Sequence, residues 1–235
     1  MIEFNNAHIG YNETIISIES LILKKSNVYI LAGRNGAGKS TLLKTITKQE
    51  KLLNGDILFN GISISNIREN NVAKHLAFVQ STFPKIDFMK VKDFVSLGRA
   101  PHTNALGRLH QLDIEKTKKA IKALEIDHLS EKFTSELSDG ERQMVAIAKA
   151  IAQETDIVLL DEPTAFLDYA NKIKVLNLLK KIASEMNKCI ILSSHDIDLS
   201  IESHCTFIVI SRNEKKIHLL KAPINKTEVL KIAFS

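Results

Sequence analysis

Apolar and polar positions divide the chain into alternating, continuous and helically spaced stretches. Residues 1 to 32 alternate in the manner of antiparallel strands and end in Val28-Tyr29-Ile30-Leu31-Ala32, an unbroken apolar run typical of a buried strand. A glycine-rich loop follows, and Ser40 to Thr47 is predicted to be helical. Asn54-Gly55-Asp56 predicts a turn into Ile57-Leu58-Phe59, with a second turn at Asn60-Gly61. His75-Leu76-Ala77-Phe78-Val79-Gln80 predicts another buried strand. Between Phe83 and Gln153 helical periodicity takes over, with Ile114, Thr117, Ile121 and Leu124 on one face. Strands are predicted again at Ile157–Leu160, Cys189–Ser193 and Thr206–Ile210, with a helix from about Tyr169 to Met186. Ser211-Arg212-Asn213-Glu214 then turns the chain towards one short helix. Strands alternating with helices predict a mostly parallel, covered sheet. No linker or repeat interrupts the pattern, so residues 1–235 form one unit with a helical insertion over about 83–153.

Composition narrows the class without changing this picture. Hydrophobic residues make up 44% and charged residues 25% of the 235 positions, ordinary for a globular protein. No apolar run approaches the roughly 18 residues that span a bilayer, and the first residues lack the pattern of a signal peptide. A cytoplasmic location is therefore expected. Cys189 and Cys205 lie in apolar stretches without metal-like spacing and are expected to be buried free thiols. A net charge of +5 permits contact with nucleic acid. The densest basic stretch, Lys116 to Lys122, also carries apolar residues at helical spacing and reads as a solvated helix face. No nucleic-acid partner is expected.

The loop Gly33-Arg34-Asn35-Gly36-Ala37-Gly38-Lys39-Ser40 fits G-x-x-x-x-G-K-[ST] and lies between a buried strand and a helix. Gly33, Gly36 and Gly38 allow backbone N–H groups, with Asn35 among them, to curl around phosphates, and the helix N-terminus adds its dipole. Lys39 should reach the β- and γ-phosphates of ATP, Ser40 should ligate Mg²⁺, and Thr41 should donate to an α-phosphate oxygen. Ile157-Val158-Leu159-Leu160-Asp161-Glu162 is an apolar strand ending in two acids, where ligands of an open α/β sheet collect. Asp161 is the candidate Mg²⁺ ligand and Glu162 the candidate general base for the attacking water.

With these pieces in place, the chain resembles the ATP-binding cassette family over nearly its whole length. Leu137-Ser138-Asp139-Gly140-Glu141 resembles the family signature Leu-Ser-Gly-Gly-Gln, and Arg142-Gln143 continues it into a helix. The resemblance implies an α/β fold: a P-loop NTPase (RecA-like) core, an N-terminal antiparallel β subdomain and an inserted α-helical signature subdomain. It also implies that Ser138 and Gly140 contact ATP held by a second copy of the cassette. Asp139 stands where the family has glycine, so its side chain must point away from the phosphate or weaken binding. Gln80 resembles the glutamine that senses Mg²⁺ and water and links the core to the helical lobe. Tyr11 resembles the aromatic residue that stacks on adenine. Ala165-Phe166-Leu167-Asp168 resembles the loop crossing the dimer interface, with Asp168 as its acid. His195, in Ser193-Ser194-His195-Asp196, resembles the switch histidine that contacts the γ-phosphate.

Val95-Ser96-Leu97-Gly98-Arg99-Ala100-Pro101-His102 is similar to the helical lobe of cassettes serving iron–siderophore, haem and cobalamin importers. That resemblance implies an ATPase subunit acting as a homodimer on the inner face of the cell membrane, docked to an integral membrane permease. An external substrate-binding protein would be an indirect partner. Phe83, Ile86, Phe88 and Met89 are candidates for the permease-docking groove. Two other readings compete: a soluble cassette ATPase acting on nucleic acid or the ribosome, and a nucleotide-binding module without turnover. The basic charge is the only support for the first, and the presence of Lys39, Asp161, Glu162 and His195 opposes the second.

Overall fold

The computed structural model describes residues 1–81, 86, 88–104 and 107–234. In chain order its elements are β1 (Ile2–Gly10), β2 (Thr14–Leu23), β3 (Asn27–Ala32), α1 (Lys39–Ile46), β4 (Asn54–Phe59), β5 (Ile62–Ser63) and β6 (Leu76–Val79). Then come α2 (Val91–Ser96), α3 (Gln111–Ala123) and α4 (Asp139–Ala152). The chain closes with β7 (Ile157–Leu160), α5 (Tyr169–Glu185), β8 (Cys189–Ser193), α6 (Ile197–Glu202), β9 (Thr206–Ser211), β10 (Lys216–Leu220) and α7 (Lys226–Phe234).

The strands form one sheet in the order β5-β4-β1-β2-β10-β9-β3-β8-β7-β6. From β9 to β6 neighbouring strands run parallel, while β5, β4, β1 and β2 pair antiparallel. The two halves meet where β10, antiparallel to β9, pairs in parallel with β2 at Lys216 and Ser17. The N-terminal antiparallel region is thus continuous with the parallel core.

Strand alternation splits the interior into two apolar layers. Val28, Ile30, Val158, Leu160, Ile190 and Leu192 face the helical side, with Val175, Leu179 and Val229. Tyr29, Leu31, Ile157, Leu159 and Ile191 face the other side, against Leu42, Leu43 and Ile46 of α1 and the β1–β2–β4 strands. Strands apolar on both faces have to lie between two covers, which explains their unbroken runs.

Several local expectations change. Asn54-Gly55-Asp56 is not a turn but the start of β4, where the register against β1 shifts between Asn5 and His8. The turn-forming residues mark that irregularity in a strand. The segment after Ser211 makes a tight turn into β10, a strand the apolar pattern does not reveal because none of its side chains is fully buried and their exposure does not alternate. On α3, Thr117 and Ile121 are buried and Leu124 beyond it is too, but Ile114 is 39% exposed. The inner face of α3 packs on α2 and α4 while Ile114 turns outward along a surface groove.

Candidate nucleotide site

The parallel strands β3, β6, β7 and β8 deliver their C-terminal ends to one edge of the sheet, and the sequence candidates collect there. The loop after β3 wraps into α1 through Gly38, which sits at φ 103° and caps the helix. That conformation is left-handed and favours glycine, and a Cβ at Gly38 would also sit tightly against Cδ1 of Ile16 at 3.0 Å. Lys39 is only 8% exposed, and its ammonium donates to the carbonyls of Gly33 at 2.9 Å and Arg34 at 3.3 Å. Burial pulls the Lys39 pKa down, while the nearby carboxylates of Glu162 and Asp161 oppose that shift. Ser40 is exposed at the start of α1, and Thr41 is buried behind it.

β7 carries Asp161 and Glu162 past the sheet edge, where the Asp161 amide donates to Val79 O at 2.8 Å. The parallel register that pairs Leu160 with Leu192 sets Ser193 beside Asp161. Ser193 Oγ donates to Asp161 Oδ1 at 2.7 Å and accepts from the Glu162 amide at 2.8 Å. The Glu162 backbone lies at φ 49°, a left-handed conformation costing a side-chain-bearing residue about 1 kcal/mol or more, and the Ser193 hydroxyl anchors it there. From that position Glu162 Oε1 meets His195 Nε2 at 3.0 Å. His195 also borders a cavity of about 400 Å³ shared with Gly33, Arg34, Asn35, Ile197 and Leu230.

The remaining candidates are more dispersed. Gln80 is exposed at the end of β6 and lines a separate cavity of about 500 Å³ with Thr47, Gln49, Phe94, Lys149 and Gln153. Tyr11 is exposed in the β1–β2 turn. Ser138 caps α4: its hydroxyl accepts from the Glu141 amide at 3.3 Å, and Glu141 Oε2 accepts from the Ser138 amide at 2.8 Å. Asp139 turns onto Arg142, with Oδ1 2.9 Å from the guanidinium, so its charge points away from the capping serine. A Cβ at Gly140 would come within 2.8 Å of Leu167 Cδ2, which brings the signature helix against the loop before α5. Asp168 caps α5 by accepting from the Asn171 amide at 2.8 Å. Ser138 and Gly140 share a cavity with Leu167 and Asn171, and none of the lining residues belongs to the phosphate loop.

Two residues emerge that motif reading passed over. Ser193 was legible only as part of a Ser-Ser-His-Asp run, and its bridging role depends on the register between β7 and β8. Lys172, on α5, pairs with Asp196 at 2.9 Å, immediately beside His195. Of the proposed groove residues, Ile86 and Met89 pack against the main core, and Phe88 is 91% exposed. Phe83 lies outside the described residues. Cys189 and Cys205 are buried and unpaired, and burial pushes the Cys189 thiol up to about 12.

The chain is similar to known transport cassettes over most of its length. A family model described as ABC transporter matches residues 17–165. The achromobactin transport ATP-binding protein of Dickeya dadantii is 40% identical over 193 residues, covering 82% of this chain and 72% of that protein. An inward-facing structure of a putative metal-chelate type ABC transporter superposes with a TM-score of 0.83 at 27% identity, covering 99% of this chain and 88% of that one. A dimeric ATP-binding cassette in a post-hydrolysis state bound to ADP and Pi superposes with a TM-score of 0.75 at 25% identity, covering 96% and 100%.

Proposed function

The chain belongs to the ABC transporter family, and on that premise we propose that it is the ATP-hydrolysing subunit of an importer for iron–siderophore or related metal-chelate cargo. The observation that carries the reading is the meeting of Lys39, Asp161, Ser193, Glu162 and His195 at the C-terminal edge of one parallel sheet. The phosphate loop and the start of α1 present backbone N–H groups and a helix dipole to the phosphates. Lys39, already among carbonyls and near both acids, transfers its donors to the β- and γ-phosphates. Glu162 accepts the proton of the attacking water, and His195, 3.0 Å from its carboxylate, orients it and faces the γ-phosphate.

Mg²⁺ fits the oxygen donors present. Asp161 and Ser40 supply hard ligands, and no group of three or more His, Cys, Asp or Glu forms a cage among the described residues. One or two protein oxygens completed by phosphates and water is the coordination Mg²⁺ favours. Bound there, the ion neutralises charge on the phosphates. Gln80, at the end of the neighbouring strand, is the further candidate to sense it.

Cassettes of this family act in pairs with membrane permeases. We assign Ser138 and Gly140 to the ATP of the second copy, since the cavity they line includes no phosphate-loop residue among the described residues. Tyr11 is assigned to the adenine and Asp168 to the dimer interface. The cavity lined by Gln80, Phe94 and Lys149 is the assigned permease groove, with exposed Phe88 nearby in sequence as an apolar contact. Among the described residues no helix is long and apolar enough to cross a membrane, so the permease supplies the spans. The cassette then sits on the cytoplasmic face, and an external binding protein delivers cargo to the permease.

The test is co-purification from detergent-solubilised membranes. A stoichiometric multi-helix permease, with ATPase activity stimulated by metal chelates, is the expected result. Recovery with ribosomes or nucleic acid in the soluble fraction would overturn the importer reading.

A further inference from the structure

α6 has six residues and begins immediately after Asp196. The backbone of the His195 loop is held by Ser194 N on Leu31 O at 3.3 Å, Ile197 N on His195 O at 3.1 Å and the Ser200 hydroxyl on Asp196 O at 2.8 Å, which leaves the Asp196 side chain to be fixed from elsewhere. A side chain of α5 supplies that contact. Lys172 Nζ lies 2.9 Å from Asp196 Oδ2, and their side chains are 20% and 38% exposed. One turn earlier, Tyr169 Oη donates to Glu202 Oε2 at 2.6 Å. The Asp196 amide in turn donates to Ser194 Oγ at 3.0 Å, closing a tight loop with His195 as its middle residue. Anchoring Asp196 therefore anchors the backbone that presents the imidazole.

The contacts make a closed ring. Glu162 O accepts from the Ala165 amide and Thr164 O from the Leu167 amide, each at 3.2 Å, which leads the chain to Asp168. Asp168 caps α5 through the Asn171 amide, and the Lys172 amide donates to Asp168 O at 2.9 Å. Lys172 then reaches Asp196, the Asp196 loop presents His195, and His195 returns to Glu162 at 3.0 Å. Tyr169 and Glu202 are both exposed, so water competes for their bond. The Lys172 ion pair is better shielded, with side chains 20% and 38% exposed.

We propose that Lys172 is a positioning residue for ATP hydrolysis: through Asp196 it holds His195 against Glu162 without touching nucleotide itself. This rests on the assignment of Glu162 and His195 above. Losing the link widens the range of His195 positions and lowers the share of molecules with the pair aligned, which acts on kcat and leaves the phosphate-binding groups intact.

The experiment is steady-state ATPase kinetics and thermal melting of Lys172→Met, Lys172→Arg, Asp196→Asn and the Lys172→Met/Asp196→Asn double variant. Lys172→Met is expected to lower kcat about tenfold with KM for ATP changed by about twofold or less. Lys172→Arg should recover most of the rate. The double variant should be no slower than the slower single one, because both changes remove the same contact. Wild-type turnover by Lys172→Met, or single effects that multiply in the double variant, overturns the proposal. If Lys172→Met melts early, Asp196→Asn breaks the same link from the other side and must give the same kcat loss. Glu162→Gln run in parallel separates the two readings. If it keeps turnover the Glu162 assignment fails; if it is inactive while Lys172→Met is unaffected, only the positioning role fails.

Discussion

Replacing Ser193 by alanine removes one oxygen from a residue that is 0% exposed. That oxygen makes two contacts, accepting from the Glu162 amide at 2.8 Å and donating to Asp161 Oδ1 at 2.7 Å. A buried donor left unpaired costs about 1–3 kcal/mol, and a bond to a charged group is worth about 1.5–3 kcal/mol. Asp161 and Glu162 are both half-buried, so water recaptures part of this, and a net loss of about 2 kcal/mol follows. At about 2–4 °C per kcal/mol for a chain of this size, Tm should fall by about 4–8 °C. Activity should fall further than stability suggests. Without its anchor, Glu162 relaxes from φ 49° towards ordinary backbone, and its carboxylate leaves the position 3.0 Å from His195. A loss of at least about tenfold in kcat is expected, with a smaller change in KM for ATP. Calorimetric melting and a coupled ATPase assay measure both quantities on the same preparation. A Tm within about 1 °C of the parent, together with unchanged kcat, would refute the claim that this hydroxyl organises the catalytic acids.

Glu162→Gln should keep ATP binding and lose about 100-fold or more in turnover, as expected for removal of a general base, read by single-turnover hydrolysis beside a nucleotide titration. Lys39→Ala should weaken ATP itself about ten- to hundredfold, since a charge-assisted contact worth about 1.5–3 kcal/mol is lost, and isothermal titration measures it. Gly98→Ala should lower Tm, because its Cβ would collide with the Lys149 carbonyl and force the segment after α2 away from α4 at about 1–3 kcal/mol. Arg99 and Asp113 form a buried pair at 3.0 Å, and the His110 amide together with Arg99 holds the Asp113 carboxyl below its ordinary value of 3.8. A depressed carboxylate pKa contributes stability that is present above that value and lost as pH falls through the lower folded one. The stability gap between the parent and Asp113→Asn should therefore narrow below about pH 4, as followed by denaturant melts across an acid series.

Much of the site is visible before any folding is considered, because its chemistry is local. The phosphate loop is a consecutive run whose glycines and lysine act through adjacent backbone, and Asp161-Glu162 follows directly from an apolar strand. Signals failed where the deciding contact is distant in sequence. Ile114 fits the helical face yet is 39% exposed, because it lines an open groove with Leu109 and Lys118 rather than the packed interior. β10 is hidden because an antiparallel strand joining two half-sheets needs no continuous apolar run.

The amino-acid pattern by itself pointed to the fold class, to the ATP chemistry and to Asp161 and Glu162 as the candidate acids, since each rests on neighbours along the chain. Tertiary structure alone decided how those groups cooperate. The register of β7 on β8 sets Ser193 beside Asp161, and Lys172 reaches from α5 to Asp196 in the loop before α6. The Ser193–Asp161 and Lys172–Asp196 pairings join residues 32 and 24 apart along the chain. No local periodicity encodes them, because they exist only once both apolar layers have closed over the sheet.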